Sequence, residues 1–384
     1  MLRLILTGIL ATAAWAAPGA RSRQAMSFQY FNNRTIFQSP EDYTTPGTLY
    51  ARAIQLSSGS LLATWENYSP EPPPVYFPIY QSDDLGISWS EIARVEDQVN
   101  DYGMRYQPDI YELPQDFAAF KAGDLFIAGS SIPTDLSSTH IELYASTDKG
   151  VSWNFVSHIA SGGVAIPDNG ETPVWEPFLM LHENTLICYY SDQRDPAHGQ
   201  KLVHQTTTDG VTWSEIVDDV SYAEYTARPG MPTVAQMSDG RYIYTYEYGG
   251  GPEDGVKPEN YSFPVFYKVS EDPYNFNAVE GQPLVTSDAT RTVPKSSPFV
   301  VFDTNKDRII VSCGTKSDVY INDNFGDVNA WQSRPSGERV SYTRNLHLIN
   351  NDAGETVLGI IGGGELPPSE GNRVANGVVN MAEW

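Results

Sequence analysis

The chain has 384 residues, a formal net charge of −24 and only two cysteines. This acidity excludes a basic nucleic-acid-binding face, because phosphate contacts need clustered Lys and Arg. Two cysteines exclude a disulfide-built scaffold, and a chain of this length buries a large core without cross-links. The six histidines show no metal-ligand spacing, and no phosphate-binding loop or nucleophile elbow is present, so neither metal nor cofactor is expected.

The first 16 residues have the composition of a secretory signal. "MLRLILTGILATAAWA" combines basic Arg3, an apolar run and small residues at positions 14 and 16. No other apolar stretch is long enough to cross a bilayer. We therefore predict a signal peptide over residues 1–16 and one soluble, extracellular domain over residues 17–384. In a secreted chain, three N-x-S/T sequons are candidate glycosylation sites, at Asn33, Asn67 and Asn260.

A short acidic turn then recurs along the chain. It reads "SDDLGISW" from Ser82, "STDKGVSW" from Ser146 and "TTTDGVTW" from Thr206, with fainter copies from Ser270 ("SEDPYNF") and Asn322 ("NDNFGDVNAW"). Asp can accept backbone N–H groups in such a turn, Gly takes positive φ, and Trp packs back on the hairpin. A period of about sixty residues is typical of a propeller or a solenoid.

Each repeat unit holds about four β-rich runs. The first unit reads "TLYARAIQL", "SLLATWE", "VYFPIYQS" and "SWSEIA", and the fourth reads "MPTVAQM", "RYIYTYEY", "PVFYKVS" and "FNAVE". First strands begin in six places, near Leu49, Pro108, Val174, Met231, Pro298 and Asn345. This pattern predicts an all-β, six-bladed β-propeller with four antiparallel strands per blade, closed by an N-terminal strand within "SFQYFNNRTIF". A solenoid would need capping repeats, and none is visible.

The two cysteines occupy corresponding second-strand positions in blades three and five, in "LICYY" and "IVSCG". These blades are not neighbours, and a disulfide needs Cα atoms within about 7 Å. We therefore predict that Cys188 and Cys313 are free, buried thiols.

The acidic turns join third to fourth strands, so they lie on the face opposite the long loops between second and third strands. Long loops on a rigid frame are where sites are built, which places the site at first-strand starts and second-strand ends. First-strand starts supply five candidates, Arg52, Arg105, Glu176, Arg228 and Arg344. Second-strand ends supply four more, Glu66, Asp192, Glu247 and Glu365.

Two of these acids lie among aromatic residues. Glu176 follows Trp175 in "ETPVWEPFLML", and Glu247 precedes Tyr248 among the four tyrosines of "YIYTYEYGGG". A desolvated carboxyl has a raised pKa, and aromatic faces stack on sugar rings. Two such acids in one pocket are the minimum for a glycosidase. The alternative is structural: the acids could bond backbone amides or pair with arginines.

The chain resembles the fungal exo-arabinanases of glycoside hydrolase family 93, in the sialidase clan, over essentially the whole mature sequence. The likeness is carried by "VWEPF", "YTYEYGGG" and "SYTRNLHL", with the secretory start and the acidic turns, known in that clan as Asp boxes. It implies a retaining, exo-acting hydrolase that cuts α-1,5-linked L-arabinan and releases arabinobiose from the non-reducing end. It also implies Glu176 and Glu247 as the two catalytic glutamates and Tyr342 as an active-site tyrosine able to bond the nucleophile. Of the two possible assignments we favour Glu176 as nucleophile and Glu247 as general acid/base, and we expect a monomer.

Arabinan or an arabino-oligosaccharide is then the expected partner. We expect the substrate to be bound by six residues, Arg105, Trp175, Asp192, Arg228, Tyr248 and Arg344. A sialidase-like activity stays open because three of these arginines could imitate the carboxylate-binding triad of sialidases, although their F/Y-R-I-P segment is replaced here by "YARAIQL". A non-catalytic lectin is the second alternative, but a lectin would not need paired acids.

Overall fold

Six antiparallel sheets of four strands each make up the computed structural model, which describes residues 27–251, 261–382 and 384. This confirms the predicted six-bladed β-propeller. The predicted signal peptide and the sequon at Asn260 lie outside the described residues. In the described part of the chain, no helix has the length and hydropathy to cross a membrane.

The strands are numbered in chain order, and the first belongs to the last blade: β1 (Phe31–Gln38). Blades one and two contain β2 (Thr48–Gln55), β3 (Leu61–Asn67), β4 (Phe77–Ser82), β5 (Ser90–Val95), then β6 (Gly103–Glu112), β7 (Leu125–Ile132), β8 (Thr139–Ser146) and β9 (Asn154–Gly162). Blades three and four contain β10 (Val174–His182), β11 (Thr185–Asp192), β12 (Lys201–Thr207), β13 (Val217–Val220), then β14 (Arg228–Gln236), β15 (Tyr242–Gly249), β16 (Val265–Ser270) and β17 (Gln282–Pro283). Blades five and six contain β18 (Phe299–Asp303), β19 (Arg308–Ser312), β20 (Val319–Asn322), β21 (Gln332–Arg334), then β22 (Asn345–Asn350), β23 (Thr356–Gly362) and β24 (Arg373–Val379).

The ring is closed as the sequence predicts, because β1 pairs antiparallel with β24 as the outer strand of blade six. Phe37 of β1 also lies against Trp65 of blade one, with ring centroids 5.4 Å apart. Apolar clusters fill the spaces between neighbouring blades in the same way. Each fully buried large apolar side chain contributes roughly 1.5–3 kcal/mol, so the blades form a rigid frame.

The acidic turns close the hairpins between third and fourth strands. In the first, Asp84 accepts the backbone N–H of Ser88 (2.8 Å) and the Ser82 hydroxyl (2.8 Å), and the Trp89 indole donates to Gly86 O (3.1 Å). The turn at Asp148 repeats this geometry. In the third turn Asp directly precedes Gly, and the Trp213 indole donates to Ser157 of blade two instead (3.0 Å).

One predicted strand is wrong. "FNAVE" contains a 3₁₀ turn, Phe276–Ala278, and the outer strand of blade four is the two-residue β17. The degenerate turn before it lacks Gly and Trp, and Phe276 is fully buried between blades three and four. Lys268 holds the turn by donating to Phe276 O (3.0 Å). The prediction for the cysteines is confirmed, since both thiols are free and buried.

Candidate active site

A backbone feature repeats around the axis of the ring. Within the first strand of blades one to four, and two residues before it in blades five and six, lies a non-glycine residue in the left-handed region: Tyr50 (φ 49°), Gln107 (60°), Glu176 (61°), Met231 (59°), Ser297 (42°) and Thr343 (53°). In blades one to four it falls at a break in the pairing with the second strand. We call these six residues the bulge positions. Each conformation costs about 1–3 kcal/mol, so the surrounding frame must hold it.

Hydrogen bonds between blades hold five of these six residues. Each backbone N–H donates to a side chain of the preceding blade: Gln107 to Glu66 Oε1 (3.0 Å), Glu176 to Gln107 Oε1 (3.2 Å), Met231 to Glu176 Oε2 (2.7 Å), Ser297 to Glu247 Oε2 (2.6 Å) and Thr343 to Ser297 Oγ (3.0 Å). These bonds orient three carboxylates, Glu66, Glu176 and Glu247, around one axis.

Glu176 is anchored through one carboxylate oxygen. Oε2 accepts the Ser191 hydroxyl (2.6 Å) and the Met231 N–H (2.7 Å), while Oε1 has no hydrogen-bond partner among the described residues. Burial raises the pKa of this carboxyl, whereas the two donors and the charge of Arg228 oppose the rise. One oxygen is therefore fixed and the other is left for a ligand.

Glu247 has a higher affinity for its proton than Glu176 has. Burial and the negative charge of Glu176 raise its pKa to about 8, against the opposing effects of the Ser297 N–H and Arg228. Because each carboxylate affects the other, the two titrate as a pair in which Glu247 is the one that keeps its proton at neutral pH.

Gly230 brings these two carboxyl groups together. It lies opposite Glu247 in the β14–β15 ladder. A Cβ on this glycine would lie 3.5 Å from Oε2 of Glu176, 3.6 Å from Oε1 of Glu247 and 3.0 Å from the Gln200 amide nitrogen. The two carboxylate oxygens are therefore closer than the sum of the first two distances, and glycine keeps the space between them open.

Tyr342 lies beside the same pair. Its ring packs edge-on against Tyr50 (centroids 6.3 Å apart) and against an apolar cluster with Met231. Burial and the negative charges of Glu176 and Glu247 raise its pKa well above the ordinary value. Within the described residues its hydroxyl makes no hydrogen bond to Glu176, so the contact predicted for the nucleophile is electrostatic in this structure.

Of the three predicted substrate-binding arginines, only Arg228 acts on both glutamates. Asn169 (2.8 Å), Gln200 (2.9 Å) and Gln193 (3.2 Å) hold its guanidinium. Its positive charge lowers the pKa of Glu176 and of Glu247.

The other two arginines have structural partners. Arg105 pairs with Glu71 (2.8 Å) in the loop above blade one. Arg344 is buried between blades five and six and donates to the backbone carbonyls of Ser317 and Asp318 (2.6 Å each). The arrangement of a carboxylate-binding triad is not formed, which removes the main argument for a sialidase-like activity.

Strand alternation moves Asp192 and Tyr248 away from the pair. Side chains alternate between the faces of a strand, so Ser191 reaches Glu176 while Asp192 faces the other way. Asp192 is bound by the Arg194 guanidinium at 2.9 and 2.7 Å. Tyr248 stacks on Tyr222, with centroids 4.1 Å apart and rings parallel within 1°.

The aromatic residues next to the glutamates are core residues. The β15 tyrosines pack in the cluster between blades three and four, on the opposite face from Glu247. Trp175 is 6 % exposed and donates to the Gln193 side chain (2.9 Å). Desolvation of the two acids therefore comes from their place at the axis rather than from neighbouring rings in the sequence.

Several residues at the site carry no motif of their own. Ser191, Gln107, Ser297, Gln200 and Gly230 were not among the sequence candidates, whereas Glu66 was. Glu66 accepts the Tyr68 hydroxyl (2.8 Å), and burial raises its pKa to about 7. Glu365, also a candidate, is exposed in a loop. The recurring X-Pro pair at four bulge positions (Pro108, Pro177, Pro232, Pro298) is the signal that could have revealed this ring of residues.

The site thus consists of two half-buried carboxyl groups with unequal proton affinity, close to each other at the axis of a propeller. Among the described residues, no three His, Cys, Asp or Glu side chains are grouped so as to hold a metal ion. A pair of carboxyl groups of this kind is the usual catalytic pair of a glycoside hydrolase.

Solved structures identify the family. The chain is 51 % identical to the α-L-arabinanase of Penicillium chrysogenum, solved with arabinobiose, with a TM-score of 0.87 over 92 % of this chain and 99 % of that one. It is 50 % identical to the family 93 α-L-arabinofuranosidase of Fusarium graminearum, also solved with arabinobiose, with a TM-score of 0.88 and the same coverage. The chain therefore belongs to glycoside hydrolase family 93, and it is a glycoside hydrolase.

A more distant likeness shows only the fold. The NanB sialidase of Streptococcus pneumoniae matches 91 % of this chain and 71 % of its own with a TM-score of 0.58, at 12 % identity. No protein-family model matches the chain, and no curated protein does.

Proposed function

We propose that this protein is a secreted exo-α-1,5-L-arabinanase that releases arabinobiose from the non-reducing end of arabinan with retention of configuration. The observation that carries the proposal is the convergence of Glu176 and Glu247 on Gly230. The substrate class is supported by two enzymes, about half identical to this chain, that bind arabinobiose.

Glu176 is the nucleophile in this proposal, and Glu247 is the general acid/base. Two donors and Arg228 favour the charged form of Glu176 and leave Oε1 free to attack. Glu247 holds its proton more tightly, as an acid must before the first step.

The reaction then has two steps. Glu247 gives its proton to the leaving glycosidic oxygen while Glu176 Oε1 bonds to the anomeric carbon of the second sugar from the non-reducing end, so that the shortened arabinan leaves and an arabinobiosyl–enzyme ester remains. In the second step, ionised Glu247 takes a proton from water, the water oxygen bonds to the anomeric carbon, and the ester bond to Glu176 breaks. Each step inverts the anomeric centre, so the product retains its configuration.

The separation of the two acids supports retention. Retaining enzymes hold their carboxyl groups about 5–5.5 Å apart, and inverting enzymes hold them about 6.5–9.5 Å apart. The upper limit set at Gly230 excludes most of the inverting range. Exo action rests on the resemblance to the family 93 exo-arabinanases. On the loop side of the propeller, Glu71 of blade one accepts hydrogen bonds from Arg105 (2.8 Å) and Thr134 (3.0 Å) of blade two, which ties neighbouring loops together.

Secretion rests on the composition of residues 1–16. Of the two sequons in the described residues, Asn33 lies on β1 at the outer edge of blade six. Asn67 is 3 % exposed and its amide nitrogen is enclosed, which speaks against a glycan there in the folded chain.

Incubation with linear α-1,5-arabinan tests the proposal. Proton NMR of the first-formed product should show arabinobiose with the α configuration at its new reducing end. Release of mixed long oligosaccharides would overturn exo action, and a β anomer would overturn the retaining mechanism. No release of sugar from a folded preparation would overturn the assignment to arabinan.

A further inference from the structure

Gln107 occupies in blade two the position that Glu176 occupies in blade three. Both are bulge positions, with φ of 60° and 61°, and both precede a proline. Their contact is direct, because the Glu176 N–H donates to Gln107 Oε1 (3.2 Å). Gln107 is thus the neighbour of Glu176 around the axis.

The orientation of its side-chain amide is determined by its donors. A backbone N–H can only donate, so the oxygen of the Gln107 amide must face Glu176. The Ser130 hydroxyl donates to the same oxygen (3.2 Å). The amide nitrogen, Nε2, therefore points away from both donors.

That nitrogen has no hydrogen-bond partner among the described residues, and it is not one of the enclosed atoms. Its position is nevertheless well fixed, since the Gln107 N–H donates to Glu66 Oε1 (3.0 Å) and Glu66 in turn accepts the Tyr68 hydroxyl (2.8 Å). A half-buried donor that is held in place and open to solvent is suited to a ligand, because a ligand hydroxyl can replace the water bound there.

We propose that Gln107 Nε2 donates a hydrogen bond to a hydroxyl group of the sugar ring bound against Glu176. This rests on the proposed function and adds a substrate-binding residue to it. A purely structural Gln107 would need only its oxygen, which holds the Glu176 backbone, so the two roles are separable.

The test combines changes in the protein with changes in the substrate, as in a double-mutant cycle. A chromogenic aryl arabinobioside and its analogues lacking one hydroxyl of the sugar bound against Glu176 are hydrolysed by the wild type, by Gln107→Glu, which keeps the acceptor for Glu176, and by Gln107→Met, which keeps neither group. Removal of the one hydroxyl that accepts the hydrogen bond from Gln107 should lower kcat/KM of the wild type by about 10- to 100-fold. Both variants should then show no further loss with that analogue, although their kcat/KM on the parent glycoside is already reduced.

Asp84→Ala, on the opposite face, is the control and should show the wild-type pattern with every analogue. Equal losses in the wild type and in both variants at every hydroxyl would overturn the role of Gln107. Failure of the wild type to hydrolyse the parent arabinobioside would instead overturn the proposed function. If Gln107→Met does not fold, Gln107→Glu alone decides, since it retains the contact to the Glu176 backbone.

Discussion

The backbone N–H of Met231 donates a 2.7 Å hydrogen bond to Oε2 of Glu176, which ties the start of one blade to the carboxylate of the blade before it. The orientation of Glu176 is therefore determined by the packing of blade three against blade four. Ser191 completes the anchor from the neighbouring strand (2.6 Å). Because both donors act on one oxygen, the other is free for chemistry, and this leads to the first prediction.

Glu176→Gln and Glu247→Gln should each fold and each lose about 10²–10⁴-fold in kcat on arabinan, because neither amide can do the work of the carboxyl group it replaces. Azide rescue distinguishes the roles. Azide added to Glu247→Ala should give an arabinobiosyl azide of retained configuration, and azide added to Glu176→Ala should give the inverted one. An inverted azide from Glu247→Ala would exchange the two roles.

Asp84→Ala is the matched loss of a carboxylate far from the axis. Asp84 accepts three hydrogen bonds within its turn, from Ser82 and from Ser88. Each is worth roughly 1 kcal/mol, so thermal unfolding should begin a few degrees lower while kcat is unchanged. Loss of activity in a well-folded Asp84→Ala protein would contradict the placing of the site on the opposite face.

The pH profile should report the pair of acids. The acid/base must carry a proton in the free enzyme, and the pKa of Glu247 is about 8, so kcat/KM should fall as pH rises through about 8. It should also fall in acid as Glu176 is protonated, at a pH above the ordinary carboxyl value because burial raises that pKa. If kcat/KM instead falls with rising pH at a midpoint near 4.3, the ordinary glutamate pKa, Glu247 is not the acid.

Gly230→Ala should impair catalysis more than stability. Its methyl group would lie 3.0 Å from the Gln200 amide nitrogen and between the two carboxyl groups. Since small displacements of reacting groups are costly, kcat/KM should fall roughly 10- to 100-fold, with thermal unfolding within a few degrees of the wild type. Full activity in this variant would mean that the sugar does not pass between Glu176 and Glu247.

Arg228 and Arg344 should respond differently to replacement by lysine. Arg344→Lys cannot reach the carbonyls of both Ser317 and Asp318 and leaves a buried charge poorly bonded, so it should cost about 2–3 kcal/mol of stability. Arg228→Lys should mainly lower kcat/KM, because its charge acts on both glutamates. Denaturant unfolding and kinetics on the same samples separate the two effects, and the reverse pattern would restore Arg344 to the site.

The propeller could be predicted because its turns repeat and because β-rich runs have period two. Glu176 and Glu247 could be selected as candidates because first-strand starts and second-strand ends meet at one face. The frame of blades one to five is local in sequence, with each strand pairing with the next one along the chain, whereas blade six also takes in the distant strand β1.

The surroundings of the two acids could not be predicted in the same way. Residues adjacent in sequence, such as Ser191 and Asp192, lie on opposite faces of a strand. On the neighbouring strand, the bulge between Trp175 and Phe178 shifts which face the β10 side chains take. Contacts such as Glu247 with Ser297 or Gln107 with Glu66 join different blades, so no local pattern announces them. Arg344 satisfies backbone carbonyls that only the folded loops bring within reach.

The bulge positions have a consequence for how this scaffold can change. One backbone conformation recurs six times around a common axis, and it carries Tyr, Gln, Glu, Met, Ser and Thr in turn. The same backbone geometry thus accommodates six different side chains at the bulge positions. The six blades therefore keep one fold while differing in the residue at this position, provided that each residue tolerates the left-handed backbone.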